Sequence, residues 1–151
     1  MFYYKFNLHL PNFIWTGTKG CKKKHLINPQ WLRNIKDRKY SFFRLDAFFS
    51  KNKYIDVKNI FDGGWHFTNI KNPDEIHHKM KNFLHHHEYE KSGIKIEDIK
   101  KLILEKKALY NYGVDQTKEK WSNNSELIKT NLNLLPKYIY NNQNKFKEWF
   151  D

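Results

Sequence analysis

The stretch Asp62-Gly63-Gly64-Trp65-His66-Phe67-Thr68-Asn69 sets two adjacent glycines before an alternation of aromatic and polar residues. Glycine lacks the Cβ that keeps a backbone away from a ligand and permits φ > 0, so the chain can turn sharply at 63 and 64 or lie against a flat substrate. Beyond the glycines the alternation predicts an extended segment, with Trp65, Phe67 and Asn69 on one face and His66 and Thr68 on the other with Gly64. Two readings fit. The segment is a glycine bulge entering a half-buried strand whose Trp and Phe are core, or it is a ligand site with one apolar and one polar face.

Immediately downstream, Asn72-Pro73-Asp74-Glu75 supplies an N-cap, a proline at the first helical position, first-turn acids and Glu75 at the capping-box position. Mixed strands first and helices after make the expected fold an α/β chain. The spacing predicts a helix carrying Ile76, Met80, Phe83 and Leu84 as one stripe, reaching about His87, with His77, His78 and His85 pointing elsewhere. After Gly93, a second helix is expected from Ile96 to about Tyr110, with Ile99, Leu102, Ile103 and Lys106 at helical spacing. Asn111 to Asn124 reads as a surface loop apart from Trp121. Pro136 then opens a terminal helix containing Tyr138, Ile139, Asn142, Phe146 and Trp149.

Upstream, Phe2, Tyr4, Phe6, Leu8 and Leu10 alternate with Tyr3, Lys5, Asn7 and His9, which predicts a strand ended by Pro11. Phe13 to Thr18 reads as a second strand able to pair with it as a hairpin. Asn28-Pro29 caps a short helix running to about Lys36. Phe42 to Phe49 fits neither period and is expected to be a packed connector. Within it Arg44 either pairs with Asp46 or reaches an anionic ligand. Tyr54 to Ile60 is a short strand or loop.

The chain has 151 residues and a mass of 18.6 kDa, with 39% hydrophobic and 17% aromatic content, enough to build one domain around a core. It contains no run long and apolar enough to span a bilayer and no signal-peptide pattern at Met1-Phe2-Tyr3-Tyr4. The lone Cys21 suits a free thiol in a reducing compartment, so a cytoplasmic location is expected. A formal charge of +12 attracts anions, including nucleic acid, membrane surfaces and the diphosphate of a nucleotide sugar. Arginine, the residue that reads bases in bidentate fashion, occurs only as Arg33, Arg38 and Arg44. The remaining positive charge is scattered lysine, with one tight cluster at Lys22-Lys23-Lys24.

Eight histidines raise the question of zinc, but none stand four apart on one predicted helix, and consecutive histidines diverge. His86 and Glu88, near the end of the first long helix, are candidates for polar contacts to hydroxyl groups. The chain contains no GxGxxG, P-loop, GxSxG or Asp-x-Asp motif. Trp and Tyr faces for sugar rings, histidine and carboxylates for hydroxyls, and lysine for phosphate suit a carbohydrate site.

The stretch Asp62-Gly63-Gly64-Trp65-His66-Phe67-Thr68, the helix ending in His86-His87-Glu88-Tyr89, the Ile99 to Ile103 helix and Pro136-Lys137-Tyr138-Ile139 together resemble glycosyltransferase family seventeen. That family includes the β-1,4-mannosyl-glycoprotein 4-β-N-acetylglucosaminyltransferase of N-glycan synthesis. The resemblance covers Asp62 to Asp151 and, more loosely, the aromatic region from Met1. It implies a partial GT-A-like, Rossmann-type fold, a short mixed sheet followed by helices. The implied activity moves N-acetylglucosamine from UDP-GlcNAc to a mannose-type or other glycan hydroxyl, with Mn or Mg as divalent cation in the full-length enzyme. The family's acidic metal motif should precede the first strand. Met1 is therefore expected to correspond to an internal methionine, and residues 1–151 to a single acceptor-side domain lacking the N-terminal nucleotide-binding half. Such a chain is either a fragment or one that a separate chain completes.

For this chemistry the resemblance implies Asp62 as base and His66 as a contact to diphosphate or metal. Gly63, Gly64, Trp65, Arg44, His86 and Glu88 would bind substrate. Asp62 could equally cap its own turn. The alternative from another class is a small basic binding module for nucleic acid or anionic glycans, without catalysis. A third is an inactive fragment whose apolar edge pairs with a partner strand.

Overall fold

The computed structural model describes residues 1–11, 13, 15–35, 40–41, 43–53, 57–83, 86–111, 120–121 and 125–151, without the Phe48 side chain. Its elements are β1 (Phe2–Tyr3), β2 (Leu8–His9), α1 (Pro29–Asn34), α2 (Leu45–Phe49), β3 (Phe67–Thr68), α3 (Pro73–Lys81), α4 (His86–Ser92), α5 (Ile96–Leu104), β4 (Ile128–Lys129) and α6 (Lys137–Asn141). The chain divides into two compact units. Unit 1 comprises Met1–Ile14 and Trp65–Asp151, and unit 2 comprises Trp15–Gly64.

Unit 1 is a small α/β assembly around a mixed sheet in the order β3-β1-β2-β4. β1 runs antiparallel to β2, with Phe2 opposite His9, and parallel to β3, with Phe2 opposite Phe67. β4 pairs antiparallel with β2, His9 facing Ile128. The expected strand from Phe2 to Leu10 is therefore a tight hairpin. It bends because Tyr4 adopts a left-handed φ of 62°, which costs about 1–2 kcal/mol for a residue with a Cβ. That turn buries both Tyr3 and Tyr4, whose rings meet edge to face at 4.5 Å, and burying a large side chain contributes about 1.5–3 kcal/mol. The expected partner strand at Phe13 to Thr18 is absent among the described residues there. The first hairpin closes on itself, and β3 takes β1's other edge.

The capping box at the start of α3 forms as the sequence dictates. Asn72 Oδ1 accepts from the Glu75 N–H at 2.9 Å, and Glu75 Oε2 accepts from the Asn72 N–H at 3.2 Å. Ile76 and Met80 enter the core with Tyr3, Tyr4, Leu8, Tyr89, Ile99 and Leu109. The predicted single helix to about His87 is instead two helices. Asn82 ends α3 by donating from Nδ2 to the His78 carbonyl at 2.8 Å, and Phe83 is exposed. Leu84 and His85 lie outside the described residues. α4 then returns Tyr89 to α3, where its hydroxyl lies 2.6 Å from His77 Nδ1.

α5 stops at Leu104, short of the expected Tyr110. Lys106 takes a left-handed φ of 54°, and the following residues pair across the chain, Ala108 N–H to the Ser125 carbonyl at 2.8 Å and Leu127 N–H to the Lys106 carbonyl at 2.7 Å. This pairing buries Ala108, Leu109 and Leu127. Of the expected loop at Asn111 to Asn124, residues 112–119 and 122–124 lie outside the described set. Trp121 packs against Tyr89 and Tyr110 with ring centres 5.4 and 5.2 Å apart. The single terminal helix expected after Pro136 is α6 followed by 3-10 turns from Gln143 to Trp149, kinked at Phe146. These turns let the Trp149 carbonyl accept the Phe6 N–H at 2.8 Å.

In unit 2, Asn28 Oδ1 accepts the Trp31 N–H at 2.7 Å and Pro29 opens α1, as the sequence predicts. Lys19 Nζ donates to the carbonyls of Arg33 and Ile35, and Trp31 Nε1 to that of Lys51 at 2.6 Å. The packed connector expected at Phe42 to Phe49 is not packed where it is described. It contains α2, with Phe43, Leu45 and Phe49 open to solvent and Ala47 buried.

Candidate functional site

Trp65 opens the extended segment of unit 1 and is half-exposed, yet its indole is fixed because Nε1 donates to the Leu134 carbonyl at 2.6 Å. An aromatic face held open by a bond at its edge is a rigid platform for an apolar ring surface. The His66 carbonyl accepts the Phe2 N–H at 2.8 Å, which ties the residue to β1. Burial lowers the His66 pKa from its ordinary value, and the cationic amino end and Lys79 lower it further. A histidine so placed is neutral near pH 7 and offers a hydrogen bond or a proton acceptor rather than a charge.

Beyond β3, Asn69 is buried with a left-handed φ of 51°, so the extended alternation ends at Thr68. Its amide donates to the Tyr3 hydroxyl at 2.9 Å and accepts from Lys79 Nζ at 2.6 Å. Burial, and then the neighbouring Lys71, lower the Lys79 pKa. Lys71 and Lys79 also line an open depression of about 420 Å³ with Asp74, Glu75 and His78. Sequence reading missed Lys79 as a partner of this stretch. Its signal is spacing, since Lys79 lies three residues after the buried Ile76 and flanks the apolar stripe.

The other sequence-predicted residues have different surroundings. Asp62, Gly63, Gly64 and Arg44 belong to unit 2, whereas Trp65, His66, His86 and Glu88 belong to unit 1. Positive φ falls on Asp62, at 54°, and not on Gly63 or Gly64. Aspartate tolerates that region better than most residues that carry a Cβ. Gly63 still has a use: a Cβ there would stand 3.3 Å from the Ile60 carbonyl oxygen. Arg44 pairs with Asp46 through two hydrogen bonds of 2.6 and 2.8 Å, and Lys53 joins the same carboxylate.

His86 and Glu88 sit in the first turn of a separate helix, α4, rather than at or just past the end of the preceding one. His86 Nδ1 lies 3.1 Å from the Phe83 carbonyl and its ring 3.9 Å from that of His87, while Glu88 lies 3.6 Å from Lys120 Nζ. Among the described residues, no group of three or more His, Cys, Asp or Glu side chains could hold a metal ion. The Mn or Mg that the resemblance implies belongs to the full-length enzyme's acidic motif, expected ahead of the first strand. Comparison with family models, curated proteins and solved structures returned no match.

Proposed function

We propose that this chain is the acceptor-side part of a nucleotide-sugar-dependent glycosyltransferase that moves N-acetylglucosamine from UDP-GlcNAc to a glycan hydroxyl. The observation that carries the reading is the pair Trp65 and His66: an indole anchored at its N–H with its face half open, followed by an imidazole that burial keeps neutral. A sugar ring packs its C–H face on such an indole. In an inverting transfer the acceptor oxygen bonds to the anomeric carbon as the bond to the diphosphate breaks. The electron pair leaves with the diphosphate, and a base takes the hydroxyl proton. A neutral imidazole can hydrogen-bond that hydroxyl or diphosphate. The motif resemblance, from Asp62 to Pro136-Lys137-Tyr138-Ile139, supports the same activity.

Calorimetry of the full chain with UDP-GlcNAc in manganese buffer, and separately with a mannose-terminated glycan, tests this proposal. The expected result is saturable binding of at least one ligand that is lost in Trp65→Ala and weakened in His66→Ala. A folded protein that binds neither ligand, or binds them unchanged in these variants, overturns it.

A further inference from the structure

Unit 2 carries twelve of the chain's 28 Lys and Arg residues but only four of its 16 Asp and Glu. Two thirds of the net positive charge therefore resides in one third of the sequence. Several of its described apolar side chains also face solvent. In α2, Leu45 and Phe49 stand at i and i+4 and share a face. They are 70% and 90% exposed, whereas Ala47 is buried. Phe43, just before α2, is 88% exposed, and Ile60 and Phe61, at the turn containing Asp62, are 87% and 69% exposed. Asp46, the acid within α2, is already neutralised by Arg44 and Lys53.

Charge and apolarity together specify what covers these side chains. A second copy of the chain would bring a second positive excess against the first. Nucleic acid would engage the lysines but stacks on aromatic faces, leaving Leu45 and Ile60 unused. A membrane surface with anionic headgroups satisfies both features, because the headgroups attract lysines while apolar tips enter the acyl boundary. We infer that unit 2 docks peripherally on anionic lipid surfaces through Phe43, Leu45, Phe49, Ile60 and Phe61. The association is interfacial: no helix among the described residues is long and apolar enough to cross a membrane.

The test is co-sedimentation of the full chain with phosphatidylcholine vesicles, with and without phosphatidylserine. It is repeated at high salt and with two paired variants, Leu45→Ser with Phe49→Ser and Ile60→Ser with Phe61→Ser. Circular dichroism checks folding, and because the pairs lie on separate segments, loss of fold in one leaves the other informative. The expected result is binding only to phosphatidylserine vesicles, weakened by salt and reduced about tenfold or more in each folded variant. Absence of binding to phosphatidylserine vesicles, or equal binding by the variants, overturns the inference. So does a dimer, or a complex with a single-stranded oligonucleotide, that the same substitutions abolish while vesicle binding persists.

Discussion

Asn69 donates from its side-chain amide to the Tyr3 hydroxyl at 2.9 Å, joining two residues 66 positions apart beneath the sheet's parallel pair. The same amide accepts from Lys79, so one buried side chain ties β1, the end of β3 and α3 together. Asn69→Ala leaves buried polar groups without this partner and is expected to destabilise the fold by about 2–4 kcal/mol in urea titration. Asn69→Asp should cost less, because the Tyr3 O–H can turn to donate and Lys79 gains an ion pair.

The Tyr4 hydroxyl is buried and has no hydrogen-bond partner among the described residues. Burial, and then the neighbouring Tyr3, push its pKa far above the ordinary range, so it remains a neutral, unsatisfied group. Tyr4→Phe removes that group while keeping the ring and is expected to raise stability by about 1 kcal/mol. A comparable loss of stability would instead reveal a partner for the hydroxyl.

Burial is the first cause holding both His9 and His66 below the ordinary histidine pKa of 6.5, with the cationic amino end adding to each. The unfolded chain therefore binds these protons more readily than the folded one. Stability is greatest above that pKa and falls as pH drops through it toward the folded values. Urea midpoints should fall between about pH 7 and pH 5, and the slope should flatten in the His9→Gln, His66→Gln double variant. Asp151 acts in a lower window. Its burial raises the carboxyl pKa, but hydrogen bonds from Lys106 and Lys129 outweigh that and lower it, so its contribution disappears only as pH falls through the carboxylate range.

Gly93 follows α4 with a left-handed φ of 69°, its N–H donating to the Glu90 carbonyl at 3.2 Å. A Cβ there would meet nothing within 4 Å, so the cost of Gly93→Ala is conformational alone. A loss of about 1 kcal/mol is expected, with Gly93→Asn losing less. Thermal unfolding of the two variants side by side checks the order.

Legibility in the sequence follows the range of the interactions. The caps of α1 and α3 were readable because Asn28 and Asn72 satisfy backbone groups within three residues, with Pro29 and Pro73 already in helical φ. Arg44 and Asp46, two residues apart, were readable as one of two options for Arg44, and the structure forms the pair. The end of α3 was not readable, because an apolar spacing continues past Lys81, and the Asn82 side chain that closes the helix on the His78 carbonyl is not a strong stop signal in the sequence. In the candidate site, Trp65 and His66 stood out by residue type, but Leu134, which anchors the indole, is 69 residues away.

The sequence by itself determined where α1 and α3 begin, that strands and helices would combine, and which stretch carries aromatic and imidazole chemistry. These are matters of cap chemistry, periodicity and residue type, all local to the chain. Only the tertiary structure decided that Phe2 to Leu10 folds as a hairpin, that Ile128–Lys129 becomes the sheet's fourth strand, and that Phe43, Leu45 and Phe49 face solvent. The left-handed turns at Tyr4, Asn69 and Lys106 are unfavourable locally. They persist because burial and hydrogen bonds to residues far along the chain outweigh their cost.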